Sequence, residues 1–176
     1  EVTHERYASA LQEEFGISIP AIFTDEPQFM HMDSLDSPEE RRKVILPFTD
    51  DFPETYKESC GLDFYEILPQ ILWELPEGQP SKARYCYHNH LADRFVNAYA
   101  ATISDWCSAH GIAMTGHMKG EETLKSQTVS VSEVMRSLRH FHIPGHDVLC
   151  DQRDYATAKM AQSTARQYGR RGALSE

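Results

Sequence analysis

Short apolar runs alternate with longer helical patterns along this chain, and this alternation limits the possible folds more than any other feature. The apolar runs are short and end in polar or glycine-containing turns, as buried strands do; they cover residues 17–23, 112–115, 143–149 and 172–175. Helical patterns lie around and between them, over residues 4–15, 53–60, 63–74, 84–110, from about Ser132, and over 154–168. Strands that alternate with helices predict right-handed βαβ units and a parallel sheet.

Several of these helices have recognisable ends or faces. Asp63 and Glu66 have the spacing of a capping box at a helix start. The longest pattern, over 84–110, ends before Gly111 and carries one apolar stripe, formed by Leu91, Phe95, Tyr99, Ile103 and Trp106. The last helix has small residues on one face (Ala158, Ala161 and Ala165), which allow close packing on a sheet.

The number of units indicates a piece of a larger domain. A closed (β/α)8 barrel needs roughly 250 residues, whereas the 176 residues here hold about four βα units. We therefore predict an α/β fold, a partial (β/α)8 TIM barrel, with residues 1–176 as a fragment of a catalytic barrel domain. Open sheet edges invite association, so we expect this piece alone to be inactive and to aggregate or dimerise.

Charge and composition exclude some classes of partner. The net charge of −10 disfavours binding to nucleic acid. No apolar run approaches the roughly 18–20 residues of a membrane span, and the polar start, without an initiator Met, has no signal-peptide pattern. The cysteines form no CxxC pair, and their spacing suggests free, mostly buried thiols at Cys60, Cys86, Cys107 and Cys150.

Ionisable residues follow the predicted strands at the points where each ends. They are Asp25 and Glu26 after the first strand, His117, Glu121 and Glu122 after the second, His146 and Asp147 in or beside the third, and Glu176 after the fourth. Active sites of parallel α/β folds form at these carboxyl ends, so the pattern predicts a carboxylate-lined pocket. Local roles stay open: Asp25 as a turn cap, Glu121 at a helix start, Glu176 as an ordinary chain end.

Two carboxylates in such a pocket can hydrolyse a glycosidic bond, one donating a proton to the leaving oxygen and the other activating water or attacking the sugar. His117, directly after a strand, is a candidate substrate contact. Sugars also stack on aromatic rings. Phe48, in a loop beside Asp50 and Asp51, is a candidate for this contact, whereas Trp106 belongs to the core stripe.

Other histidines suggest weaker alternatives. The residues His88-Asn89-His90 have the letters of the HNH nuclease motif, but the acidic net charge of the chain argues against nucleic-acid binding. In addition, side chains two residues apart on a helix point away from each other. A zinc site from His140, His142 and His146 is a further possibility, against the simpler reading of surface or hydrogen-bonding histidines.

Several motifs, in their order, resemble the catalytic region of glycoside hydrolase family 106, the α-L-rhamnosidases, and related bacterial enzymes that act on plant polysaccharides. The resemblance spans nearly the whole chain and rests on residues 23–27 (Phe-Thr-Asp-Glu-Pro), 46–52, 62–69, 105–111, 115–117 with Glu121, 143–147 and 174–176.

The resemblance implies an inverting mechanism with two glutamates, a calcium ion near the sugar, and a periplasmic or extracellular location. Carried over by position, it suggests Glu26 and Glu176 as the catalytic pair, with Glu121 next. The expected substrate-binding residues are Asp25, His117, Asp147, Phe48 and Asp50. The expected partners are a carbohydrate substrate and the remainder of the parent barrel. His146 and Lys119-Gly120 depart from the family pattern.

Two other functions stay open on the residues alone. A non-catalytic carbohydrate-binding (β/α) module would keep the fold and the aromatic rings without an arranged carboxylate pair. A metal-dependent hydrolase could be built on His117, His142, His146 and Asp147. The geometry of the strand ends distinguishes these hypotheses.

Overall fold

A four-stranded parallel sheet forms the centre of the computed structural model, which describes residues 3–29, 33–148 and 155–176. The strands are β1 (Ala21–Thr24), β2 (Ala113–Gly116), β3 (Ile143–His146) and β4 (Leu174–Ser175), and they lie side by side in chain order. Thr24 pairs with Gly116, Gly116 with Pro144, and His146 with Ser175. The prediction of a parallel α/β arrangement is confirmed. Closure into a barrel is not seen among the described residues.

The entry into β1 is shorter than predicted. Helix α1 covers His4–Leu11, followed by a 3-10 turn at Gln12–Glu14. The amide of Gly16 donates to the carbonyl of Ile19, and this tight turn takes up the first half of the predicted strand. β1 therefore begins at Ala21 rather than at residue 17.

The connection between β1 and β2 carries most of the helical structure. It contains α2 (Phe52–Cys60), α3 (Phe64–Leu72) and α4 (Lys82–Phe95), which continues through a π-helical segment (Val96–Ala101) into α5 (Thr102–Ala109). Asp63 caps α3 as predicted, accepting a bond from the amide of Tyr65. The predicted helix over 84–110 is thus one long helical run with a wider turn inside it.

The later connections are also helical. Helix α6 (Leu124–Ser130) was not predicted; it opens with a capping box of Thr123 and Ser126. The helix predicted from Ser132 is α7 (Val134–Leu138), but Glu133 rather than a serine holds the N-cap position. Helix α8 (Tyr155–Gln167) packs on β3 and buries Ala161 and Ala165, as its small-residue face predicts.

Two apolar clusters stabilise the two parts of the molecule. The first lies among α2, α3 and α4 and is rich in aromatic rings, including Phe52, Tyr56, Phe64 and Tyr87. The second lies beneath the sheet and includes Met114, Val134, Leu138 and Phe141. Trp106 packs against the second cluster, as predicted.

Among the described residues, no helix combines the length and hydropathy that crossing a bilayer requires. Cys60, Cys86 and Cys107 are free thiols, and only Cys107 is fully buried. Cys150 lies outside the described residues.

Candidate functional site

The polar residues predicted to meet at the strand ends do lie along one edge of the sheet. Because all four strands are parallel, their carboxyl ends share this edge. Asp25 follows β1, His117 follows β2, Asp147 follows β3 and Glu176 follows β4. The edge therefore gathers side chains from distant parts of the sequence.

Three of these side chains form a compact group, here called the strand-end cluster: Asp25, His117 and Glu176. One ligand atom from each lies within 4.8 Å of the others. Nε2 of His117 is 2.7 Å from a carboxylate oxygen of Glu176 and 3.4 Å from one of Asp25. Since ionised carboxylates only accept hydrogen bonds, the network assigns the proton to Nε2, which donates to Glu176.

The cluster combines a buried centre with open flanks. His117 is 1% exposed, whereas the side chains of Asp25 and Glu176 are 74% and 49% exposed. The amide of Glu176 also donates to the carbonyl of His146, which fixes the backbone after β4. A ligand can thus reach both carboxylates while the imidazole between them stays in place.

Gly116 explains why β1 and β2 can bring Asp25 and His117 together. Its φ of 127° lies outside the range that other residues readily adopt, and a Cβ there would stand 2.0 Å from the carbonyl oxygen of Thr24. The amide of the next residue, His117, donates to that same carbonyl at 3.3 Å. The Thr-Gly-His sequence therefore carries a backbone requirement as well as a side-chain one.

Glu121 lies behind the cluster and is 5% exposed. Its Oε1 accepts a hydrogen bond from the amide of Asp147 at 2.6 Å, while its buried Oε2 has no partner among the described residues. Burial raises the pKa of Glu121 to about 7, against the opposing effects of the Asp147 amide and of His117. Glu121 is therefore covered in this structure and holds the loop after β3 through its bond to Asp147.

Glu26 is not part of the strand-end cluster and pairs with a lysine. Its backbone is left-handed, with a φ of 44°, and its carboxylate forms an ion pair with Nζ of Lys119 at 2.7 Å. This carboxylate raises the pKa of Lys119. In the sequence, Lys119 stood out only as a departure from the family pattern. Its place three residues after the end of β2 is the signal that could have marked it as a site residue.

The two loop residues predicted to bind substrate lie in a different setting. Phe48 is 49% exposed and lines an apolar groove of about 780 Å³ together with Phe29, Phe95 and Asn97. Phe52 and Phe64 support its ring from behind, with ring centres 6.0 and 5.8 Å away. Asp50 is exposed beside it.

Phe23 belongs to an apolar run that predicts a buried strand, but it lies beside the strand-end cluster and is partly exposed. Phe23 is 44% exposed, and its ring centre is 5.8 Å from that of His117. Side chains two positions apart on a strand share a face, so Phe23 points to the same side as Asp25. The alternation along β1 was the available signal, hidden by a run of apolar letters.

The proposed histidine metal sites do not form. His142 immediately precedes β3. Its Nδ1 accepts from the amide of Met114 and its Nε2 bonds to the hydroxyl of Ser108, whereas His146 ends β3. Residues at opposite ends of a strand cannot share an ion, so the zinc site of His140, His142 and His146 is wrong, as is a site joining His142 to His117.

The strand-end cluster is the group that could hold a metal ion among the described residues. Its carboxylates offer oxygen ligands, but calcium takes 6–8 oxygens in proteins, and an imidazole nitrogen suits a transition metal better. The described residues therefore do not form a calcium site by themselves, and calcium stays a prediction of the family resemblance.

A solved structure supports the fold. The chain is similar to a rhamnosidase from Novosphingobium sp. PP1Y, with a TM-score of 0.64 and 21% sequence identity over 97% of this chain. The chain spans 15% of the length of that rhamnosidase. At this identity the similarity shows a shared fold. No family model matches the sequence, and a search of curated proteins found no match.

Proposed function

We propose that this chain forms part of a glycoside hydrolase barrel and supplies carboxylates that hydrolyse an O-glycosidic bond. The observation that carries the proposal is the convergence of exposed carboxylates from β1 and β4 on one buried imidazole. A rhamnosidase with the same local fold supports α-L-rhamnosides, such as those of plant polysaccharides, as the substrate class.

The order of the strands supports a barrel. All four strands are parallel and lie side by side in chain order, as consecutive strands of a (β/α)8 barrel do. The carboxylate oxygens of Asp25 and Glu176, which follow the first and the last of these strands, lie within 4.8 Å of each other.

We assign the two catalytic roles to Glu26 and Glu176. Lys119 stabilises the negative charge of Glu26, which suits a base that activates water. Glu176 would act as the acid in its protonated form, with its proton on the oxygen that does not accept from Nε2 of His117, and would transfer that proton to the leaving oxygen. Glu121, whose carboxyl oxygen is covered, positions the Asp147 loop.

The substrate would lie against the ring of Phe23, which offers an exposed face beside His117. Stacking on this ring would orient a sugar at the edge of the sheet. Phe48 offers an exposed ring in a separate apolar groove.

The test compares Glu26→Gln and Glu176→Gln with the matched variant Glu122→Gln, an exposed neighbour, in the intact protein on aryl α-L-rhamnosides. Each site variant should lose about 10²–10⁴-fold in kcat, and Glu122→Gln should keep wild-type kcat. Glu176→Gln should lose less on a substrate with a good leaving group, because an acid is then needed less. If both site variants keep wild-type kcat, the assignment fails.

A non-catalytic carbohydrate-binding module is the alternative, and the burial of Glu121 favours it because a covered carboxyl cannot touch a substrate. That module would bind rhamnosides without product formation in any variant. Product NMR of the wild type also reports whether the anomeric configuration inverts.

A further inference from the structure

A second cleft, of about 470 Å³, lies between α4 and the α6–α7 segment, and none of its lining residues belongs to the strand-end cluster. One wall is a face of α4, where Arg84, His88 and Ala92 follow one another at four-residue spacing. The small side chain of Ala92 leaves room in the cleft. Tyr85 and Asn89 lie beside this stripe.

The facing wall comes from three successive parts of the chain. Thr128 lies in α6, Ser132 lies in the turn between the two helices, and Arg136 lies in α7. Arg136 joins the two walls, because its Nη1 donates to Oδ1 of Asn89 at 3.0 Å. The cleft is therefore a groove with polar walls.

Two polar atoms on these walls lack partners. Nδ1 of His88 and Oγ of Ser132 are buried and have no hydrogen-bond partner among the described residues. A buried polar atom without a partner is unfavourable, and such atoms are rare in folded proteins. Ser132 also has a φ of 64°, a strained conformation for a residue other than glycine. Strain and unpaired groups together mark places where a ligand completes the structure.

The charges in the cleft are already balanced. Arg84 forms an ion pair with Glu74 at 2.7 Å, and Arg136 forms ion pairs with Asp93 and Glu133 at 3.0 and 2.7 Å. No excess positive charge is left for an anion. The remaining groups are hydroxyls, an amide, an imidazole and the ring of Tyr85, which is 71% exposed.

We propose that this cleft binds a neutral, polyhydroxylated ligand, a single sugar residue, at a site separate from the strand-end carboxylates. The ring of Tyr85 supplies the stacking face, and Asn89, Ser132 and His88 supply hydrogen bonds to hydroxyl groups. Because the unpaired atoms of His88 and Ser132 are buried, a bond from either of them to the sugar requires a rotation of that side chain. The site serves a hydrolase or a binding module equally and does not depend on the proposed catalysis.

The experiment is an NMR titration of the intact protein with L-rhamnose, D-glucose and D-galactose, and with D-glucuronate as an anionic probe. At least one neutral sugar should give saturable shifts at the side chains of His88 and Asn89. Tyr85→Ala should weaken its Kd by about 3–10-fold, the size of one aromatic contact. Tyr65→Ala, which removes an equally exposed ring outside the cleft, should leave Kd unchanged.

Ser132→Gly provides a second variant that keeps the fold, because glycine adopts the left-handed backbone without strain. It should also weaken binding, since it removes the hydroxyl. The proposal is overturned if no neutral sugar shifts His88 and Asn89, if Tyr65→Ala and Tyr85→Ala weaken binding equally, or if glucuronate binds more tightly than every neutral sugar. Binding of monosaccharides requires no turnover, so these outcomes are independent of the hydrolysis test.

Discussion

Two buried histidines, one in the helical layer of α2, α3 and α4 and one at the strand ends, show how differently the two regions use the same side chain. His90 is 7% exposed and bonds to two hydroxyls, Thr55 Oγ1 at 3.0 Å and Ser59 Oγ at 2.9 Å. His117 is 1% exposed and faces two carboxylates that are themselves open to solvent.

The partners, rather than the burial, distinguish these two histidines. Burial is the main cause that lowers the pKa of His90, and its partners are neutral hydroxyls among aromatic rings. The partners of His117 are instead charged groups that a ligand can reach. The helical layer thus encloses its histidine, whereas the sheet edge presents carboxylates to solvent.

The largest expected difference between the two regions concerns their glycines. Gly116→Ala should lower the free energy of unfolding by roughly 3–6 kcal/mol, because the new Cβ overlaps the Thr24 carbonyl and the φ is unfavourable. Gly61→Ala, at the end of α2, should cost only about 1–2 kcal/mol, since its φ is 68° but no atom lies within 4 Å. Denaturant melts measure both. Equal losses would contradict the close approach of β1 and β2.

The next difference is the response of stability to pH. The folded pKa of Glu121, about 7, lies above its ordinary value of 4.5, so its contribution is fully present below pH 4.5 and is lost as the pH rises toward 7. The loss amounts to about 3 kcal/mol. Glu121→Gln should remove this decline in melts between pH 4.5 and 7.5.

His88 provides the opposite case in the helical layer. Burial lowers its pKa from 6.5 to about 4, so its contribution is present above pH 6.5 and is lost as the pH falls toward 4. His88→Gln should therefore flatten the acid side of the stability curve, and Glu121→Gln should flatten the neutral side. A curve that the two variants change in the same direction would refute the assignment.

The smallest effect on stability concerns two lysines. Lys119→Met breaks the pair with Glu26, and Lys57→Met breaks the longer pair with Asp63 at 3.7 Å. Both pairs are solvent-exposed, so each variant should change the free energy of unfolding by less than about 1 kcal/mol. Only Lys119→Met should lower kcat, because only Glu26 has a proposed catalytic role. Equal kcat values in both variants would remove Lys119 from the site.

Much of the fold could be read from local patterns. The apolar runs gave the strands because burial between helices selects such residues, and Asp63 marked the start of α3 because its carboxylate caps free amides. The two elements that were predicted wrongly also have local causes. Helix α6 has no apolar stripe to reveal it, and the turn at Gly16 shortened β1 through a hydrogen bond that composition does not show.

The sequence by itself determined that strands and helices alternate, that the strands are parallel, and that ionisable residues follow their ends. These features depend on neighbouring residues and on a general rule for parallel sheets. Only the tertiary structure decided which ionisable residues meet. Asp25 and Glu176 both reach the imidazole of His117, and Gly116 lets β1 and β2 approach, while Glu121 is covered and Glu26 pairs with Lys119. Such outcomes depend on distances between segments far apart in the chain, and no local pattern encodes them.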